Sequence, residues 1–121
     1  MIQPLISGSQ RIIFSAKGRE EFMKWCKKKL TRPEERTLVA VMDKLADFSV
    51  EDLRHAGQIW KYERGTKPNI YVIRRNQVRL YCGMKGNNII VLAWIKKKEK
   101  KASPALLKRV QKLAKEVIRE E

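Results

Sequence analysis

The sequence predicts an α+β domain: a small antiparallel sheet, an N-terminal helix pair packed on one face of it, and a helix at the C-terminus. Three observations carry this. Between Ile70 and Ile95, the apolar runs Ile70–Ile73, Val78–Cys82 and Ile89–Ile95 are separated by turn signals at Arg75-Asn76 and Lys85-Gly86-Asn87-Asn88. Upstream, two stretches space their apolar residues by three and four on either side of the breaker Thr31-Arg32-Pro33. Downstream, Ser103-Pro104 opens a segment with an unbroken apolar stripe.

In chain order, Gln10–Ser15 is a short strand containing Ile12, Ile13 and Phe14. Lys17–Leu30 is a helix with Phe22, Trp25, Cys26 and Leu30 on one face and Lys24, Lys27 and Lys28 on the other. Pro33 suits the first turn of a second helix, Glu34–Phe48, whose apolar face holds Leu38, Val41, Met42, Leu45 and Phe48. Ser49-Val50-Glu51-Asp52 has the form of a capping box and starts a further turn that Gly57 ends. Gln58–Glu63 is a strand closed by Gly65-Thr66-Lys67-Pro68. A two-residue loop at Arg75-Asn76 pairs Ile73 with Val78 and Val72 with Arg79. Alternation then places Tyr71, Ile73, Val78, Leu80 and Cys82 on the core face, and Val72, Arg74, Gln77, Arg79 and Tyr81 on the other. Ile89–Ile95 is apolar throughout, as in a strand buried on both faces. The last helix carries Leu106, Leu107, Val110, Leu113, Val117 and Ile118 on one side. With the helices on one face, the sheet's other face is expected to be open and basic.

The 121 residues fit one domain spanning 1–121, and 43% apolar content supplies a single core. The longest apolar run is too short to span a bilayer, and no signal peptide is visible, so a cytoplasmic protein with no membrane partner is expected. Cys26 and Cys82 fall in packed segments and read as small buried side chains. No Cys/His cluster or Gly-rich phosphate loop is present, so neither a metal nor a cofactor is expected. His55, the one histidine, precedes Gly57 with no carboxylate or serine at a diagnostic spacing, and reads as a surface residue.

Net charge is +15, and it is concentrated. From Gly57 to Lys101 twelve basic residues face only Glu63 and Glu99. A field of that density gathers polyanions, so nucleic acid is the expected partner class. Arg74 and Arg79 can grip a phosphate bidentately. Lys96 and Lys97 can neutralise an oxyanion or protonate a leaving oxygen. Tyr81, two residues after Arg79, can stack on a base, and Arg75, Lys98 and Lys100 extend the cationic surface. Trp60 and Trp94 read as core.

These residues carry a resemblance. Ile59-Trp60-Lys61-Tyr62, then Ile70-Tyr71-Val72-Ile73-Arg74-Arg75-Asn76-Gln77-Val78-Arg79-Leu80-Tyr81, then Ile89–Trp94 running into Lys96-Lys97 and Pro104, resemble the RelE/ParE toxin superfamily. The similarity is greatest to its HigB-like, phage-derived branch. It is specific from Ile70 to Pro104 and topological before that. The resemblance implies a RelE-like fold and the toxin of a type II toxin-antitoxin system, a metal-independent endoribonuclease that cuts mRNA on the ribosome. It implies catalytic roles for Arg79, Lys96 and Lys97, with Lys61 or Arg74 as a third basic residue. Members with a tyrosine or histidine near the C-terminal end have no counterpart in Glu99–Ser103, so Tyr81 substitutes for it or activity is weak or lost. An acidic antitoxin covering Arg79, Lys96 and Lys97 is the implied protein partner, with oligomers forming through it. A gyrase-inhibiting toxin of the ParE kind and a non-catalytic basic nucleic-acid-binding module are the alternatives.

Overall fold

A computed structural model describes residues 2–4, 12–15, 18–48, 52, 55, 57, 60–63, 65–85, 88–96 and 104–119. The elements are β1 (Ile2–Pro4), β2 (Ile12–Ser15), α1 (Gly18–Lys29), α2 (Arg32–Ala46), β3 (Trp60–Glu63), β4 (Ile70–Arg75), β5 (Val78–Lys85), β6 (Asn88–Lys96) and α3 (Pro104–Arg119). The six strands form one sheet in the order β1-β2-β6-β5-β4-β3. Four of the five strand pairs are antiparallel, and β2 lies parallel to β6. The α+β class holds, with this one parallel pair inside the expected antiparallel sheet. A parallel neighbour requires a long crossover, and the chain between β2 and β6 supplies it with the helix pair and the whole β3–β5 meander.

The helix pair is set by local chemistry. Glu20 and Glu21 in the first turn of α1, and Lys27, Lys28 and Lys29 in its last, complement the helix dipole. Thr31 then caps α2: its hydroxyl accepts from Glu34 N at 3.3 Å, while Glu34 Oε1 accepts from Thr31 N at 2.9 Å. Phe22 and Cys26 from α1, Leu30 just beyond its end, and Leu38, Met42 and Leu45 from α2 pack with Ile12, Phe14, Ile73, Val78, Leu80, Cys82, Ile89 and Val91 of the sheet. Aromatic contacts pin α1 down: Phe22 lies 5.2 Å from Phe14 and 5.3 Å from Trp94, centroid to centroid.

The β4–β5 hairpin departs from the expected register. Arg75 pairs with Val78, Arg74 with Arg79, Ile73 with Leu80 and Val72 with Tyr81, so the two-residue turn is Asn76-Gln77. Asn76 takes φ 52°, a left-handed conformation that asparagine tolerates and arginine does not favour; the expected phasing puts Arg75 at the first turn position. Each partner moves by two residues, an even step, so both face assignments survive.

The second face is not open. α3 lies on it, and Ile70, Val72, Tyr81, Ala93, Val110 and Ala114 form a second core with Leu92, Ile95, Leu106 and Leu107 at its margin. The sheet is therefore a middle layer, with α1 and α2 on one side and α3 on the other. Gln111 Oε1 accepts from Lys67 N at 3.3 Å, and the Lys85 ammonium donates to Val117 O at 3.4 Å at the carbonyl end of α3. Thr66 ties the end of β3 to the start of β4: its hydroxyl donates to Glu63 O at 2.8 Å and accepts from Ile70 N at 2.9 Å.

Candidate nucleic-acid interface

Residues opposite one another in an antiparallel pair share a face, so the register sorts the cationic residues. Lys61 opposes Val72, Val72 opposes Tyr81, and Arg74 opposes Arg79, which opposes Ile95. Lys61, Arg74 and Arg79 therefore lie on the α3 face. Val78 belongs to the other core, and its partners are Arg75 and Lys96. Arg75 and Lys96 thus lie on the helix-pair face. The single cluster expected from the sequence is two clusters, back to back across the end of the sheet. Lys97, Lys98 and Lys100 lie outside the described residues.

On the α3 face, the Arg79 guanidinium folds back over the hairpin turn. Nη1 donates to Asn76 O at 2.7 Å and to Val78 O at 2.8 Å. These bonds fix the plane of the group and leave the Nε/Nη2 edge, the fork that matches two phosphate oxygens, uncommitted to the turn. Burial pushes the Arg79 pKa down, the neighbouring Arg74 pushes it further, and Tyr81 acts the other way. Two guanidinium groups directly opposite on adjacent strands repel, and an anion between them relieves that repulsion. Lys61 is exposed, diagonal to Arg74 across the β3–β4 pair, within reach for long side chains.

Tyr81 does not fill the role expected of it. It is 1% exposed, sealed beneath α3, so its ring has no free surface for a base. Burial raises its phenol pKa, nearby Glu63 raises it further, and Arg79 lowers it. The reason is the cover that α3 gives to the centre of this face.

On the other side, Lys96 is held rather than free. Its ammonium sits 3.3 Å from Glu34 Oε2 and donates to Lys29 O at 3.4 Å, bridging the end of β6 to the junction of α1 and α2. Glu34 is correspondingly held below the usual carboxylate range, first by the Thr31 backbone bond and then by Lys96. Beside this bridge is a cleft of about 370 Å³ lined by Trp25, Lys29, Gln77, Trp94, Ile95 and Lys96. Trp60, by contrast, is a core residue stacked on Tyr71 at 4.9 Å. The sequence reading placed Trp94 in the core and gave Trp25 only a helix face. Two spacings mark the cleft: Trp25 and Lys29 are four apart on α1, and Trp94 and Lys96 two apart on β6, so each pair shares a face.

His55 is exposed, and its backbone N–H donates to the Asp52 backbone O at 3.1 Å. Among the described residues no group of three His, Cys, Asp or Glu side chains is placed to hold a metal ion, and no helix is long and apolar enough to cross a membrane. No protein-family model matches this chain, and neither a curated protein nor a solved structure matches it.

Proposed function

We propose that this protein is the toxin of a type II toxin-antitoxin system and cuts mRNA on the ribosome, with the phosphate seat at Arg74 and Arg79. The observation that carries the reading is the opposed pair of guanidinium groups, one of them already oriented by the hairpin turn. A structural pair of like charges at that position is unfavourable on its own, and a phosphodiester bridging them makes it favourable. In the reaction the RNA 2′-oxygen attacks the adjacent phosphorus, the P–O5′ bond breaks, and the proton lost from the 2′-hydroxyl is returned to the 5′-oxygen. The products are a 2′,3′-cyclic phosphate and a 5′-hydroxyl. Charge accumulates on the phosphoryl oxygens in the transition state, where the Nε/Nη2 edge of Arg79 and the Arg74 fork stabilise it. Lys61, on the same face, adds positive charge beside the seat.

Lys96 stands apart from this seat, on the opposite face and paired with Glu34. That separation favours a second reading, a basic module that binds nucleic acid without cleaving it. Induced expression with primer extension on a reporter mRNA decides between them. Discrete cuts that vanish in Arg74→Ala and Arg79→Ala support the endoribonuclease. RNA binding without cuts supports the module. Cuts that persist in both variants remove the guanidinium pair from the mechanism.

A further inference from the structure

The cleft between α1 and the end of β6 combines accessible indole surface, a side-chain amide and a cation. Trp25 and Trp94 are both half-buried, so each indole keeps surface at the cleft. Both rings rest against Phe22, at 6.1 Å and 5.3 Å, which holds them without covering them. Lys29 brings a cationic head from the last turn of α1, and Gln77 brings an amide from the hairpin turn, and both are exposed. Lys96 is committed to Glu34, so Lys29 carries the unneutralised charge among the cleft's residues. The volume, about 370 Å³, falls in the range of about 300–1,000 Å³ usual for small-molecule sites. Indole walls, an amide able to donate and accept, and one cation at the rim are complementary to a planar heteroaromatic group carrying a phosphate.

We propose that the cleft lined by Trp25, Trp94, Gln77 and Lys29 is a nucleotide-binding site, holding one base against the indoles with its phosphate at Lys29. It deepens the reading above, because the two sites meet at the same hairpin. Gln77 lines the cleft, and Asn76 and Val78 on either side of it accept from Arg79. Ile95 lines the cleft and is the cross-strand partner of Arg79. A single strand passing around the end of the sheet thus places one phosphate on the guanidinium pair and a neighbouring base in the cleft.

Tryptophan emission of the full-length protein, titrated with adenosine 5′-monophosphate, adenosine and inorganic phosphate, tests this. Of the three tryptophans, Trp60 is buried and supplies a constant background. The monophosphate should quench with saturation, adenosine should bind several-fold more weakly, and inorganic phosphate should not quench. Lys29→Ala, at an exposed position, should bring the monophosphate close to adenosine, and Trp25→Ala should weaken both about tenfold or more. Loss of saturable quenching overturns the proposal. So does an equal response to phosphate, which marks a simple anion site, or a response unchanged by Lys29→Ala. Quenching lost in Arg79→Ala but kept in Lys29→Ala puts the nucleotide on the other face and also overturns it. A response to a glutamate-rich peptide without one to the monophosphate reassigns the cleft to a protein partner. Failure here leaves mRNA cutting, read separately by primer extension, unaffected.

Discussion

The two bonds from Arg79 Nη1 to the hairpin turn determine what its replacement should do. Arg79→Ala should lower stability by no more than about 1 kcal/mol, since the bonds are partly solvated and the Arg74 repulsion disappears with them. It should nevertheless abolish growth arrest. Arg79→Lys keeps the charge but not the fork, and should lose nearly as much. Urea unfolding and growth after induction measure the two effects, and a folded Arg79→Ala protein that still arrests growth removes Arg79 from the site. The thiols make a second residue-level prediction. Cys26 is 2% exposed, and burial, with Glu35 adding to it, pushes its pKa up to about 12. Cys82 is raised by burial in the same sense. A raised acid keeps its proton in the folded state after the unfolded chain has lost it. The contribution is therefore intact below the unfolded thiol pKa of about 8.5 and declines above it, by up to about 1.4 kcal/mol per pH unit per thiol. Urea midpoints from about pH 7.5 to pH 9.5, below the lysine range, should fall for the native protein and fall less for Cys26→Ala. Equal slopes would contradict the burial account. Both cysteines were legible as buried from their apolar neighbours. The fate of Tyr81 was not, because alternation gives a side chain's face and not what lies over it.

At the level of elements, α2 and α3 owe their placement to different forces. α2 is started by the Thr31–Glu34 box, and Thr31→Ala should cost about 1 kcal/mol. Lys96→Ala should move the Glu34 titration back toward the usual carboxylate range, a shift that NMR of the carboxyl carbon can follow; an unmoved Glu34 would mean that the Lys96 bridge is not formed in solution. α3 is held by its apolar stripe, and Val110 and Ala114 are fully buried. Val110→Asp puts a charge into that layer and should unfold α3 or the whole chain, whereas Val110→Ala should cost about 2 kcal/mol. Helix positions were readable because spacing, caps and prolines agree: Pro33 and Pro104 stand in the first turns of α2 and α3. The hairpin was readable in its faces and not in its register, since Arg75-Asn76 and Asn76-Gln77 give the same alternation. The left-handed φ of Asn76 decides between them.

For the whole molecule, layering was only half legible. Ile89–Ile95 is apolar on both sides, which requires cover on both sides, and the α3 stripe was the segment available to give it. Charge at this scale should govern association. With Lys61, Arg74 and Arg79 as the phosphate contacts, single-stranded RNA affinity should fall with salt at a log–log slope of about −2. An acidic antitoxin that covers the guanidinium pair should associate more slowly as ionic strength rises, and Arg74→Ala with Arg79→Ala should weaken it. A salt-insensitive complex indifferent to both changes would mean inhibition by bulk alone.

The seat of β6, parallel to β2 on one side and antiparallel to β5 on the other, bears on how this chain is made. Residues 12–15 are synthesised well before Asn88–Lys96, the strand that joins them to the β3–β5 meander and the last strand among the described residues. Vectorial folding can assemble the helix pair and the β4–β5 hairpin on the nascent chain, but the sheet cannot join across its middle until β6 has emerged. Trp94 then docks against Phe14 and Phe22 and closes the first core in the same step that sets Ile95 beside Arg79. A polypeptide interrupted before residue 88 therefore lacks a continuous sheet and the cleft wall that Trp94, Ile95 and Lys96 supply, although the Arg74–Arg79 pair of the β4–β5 hairpin is already synthesised.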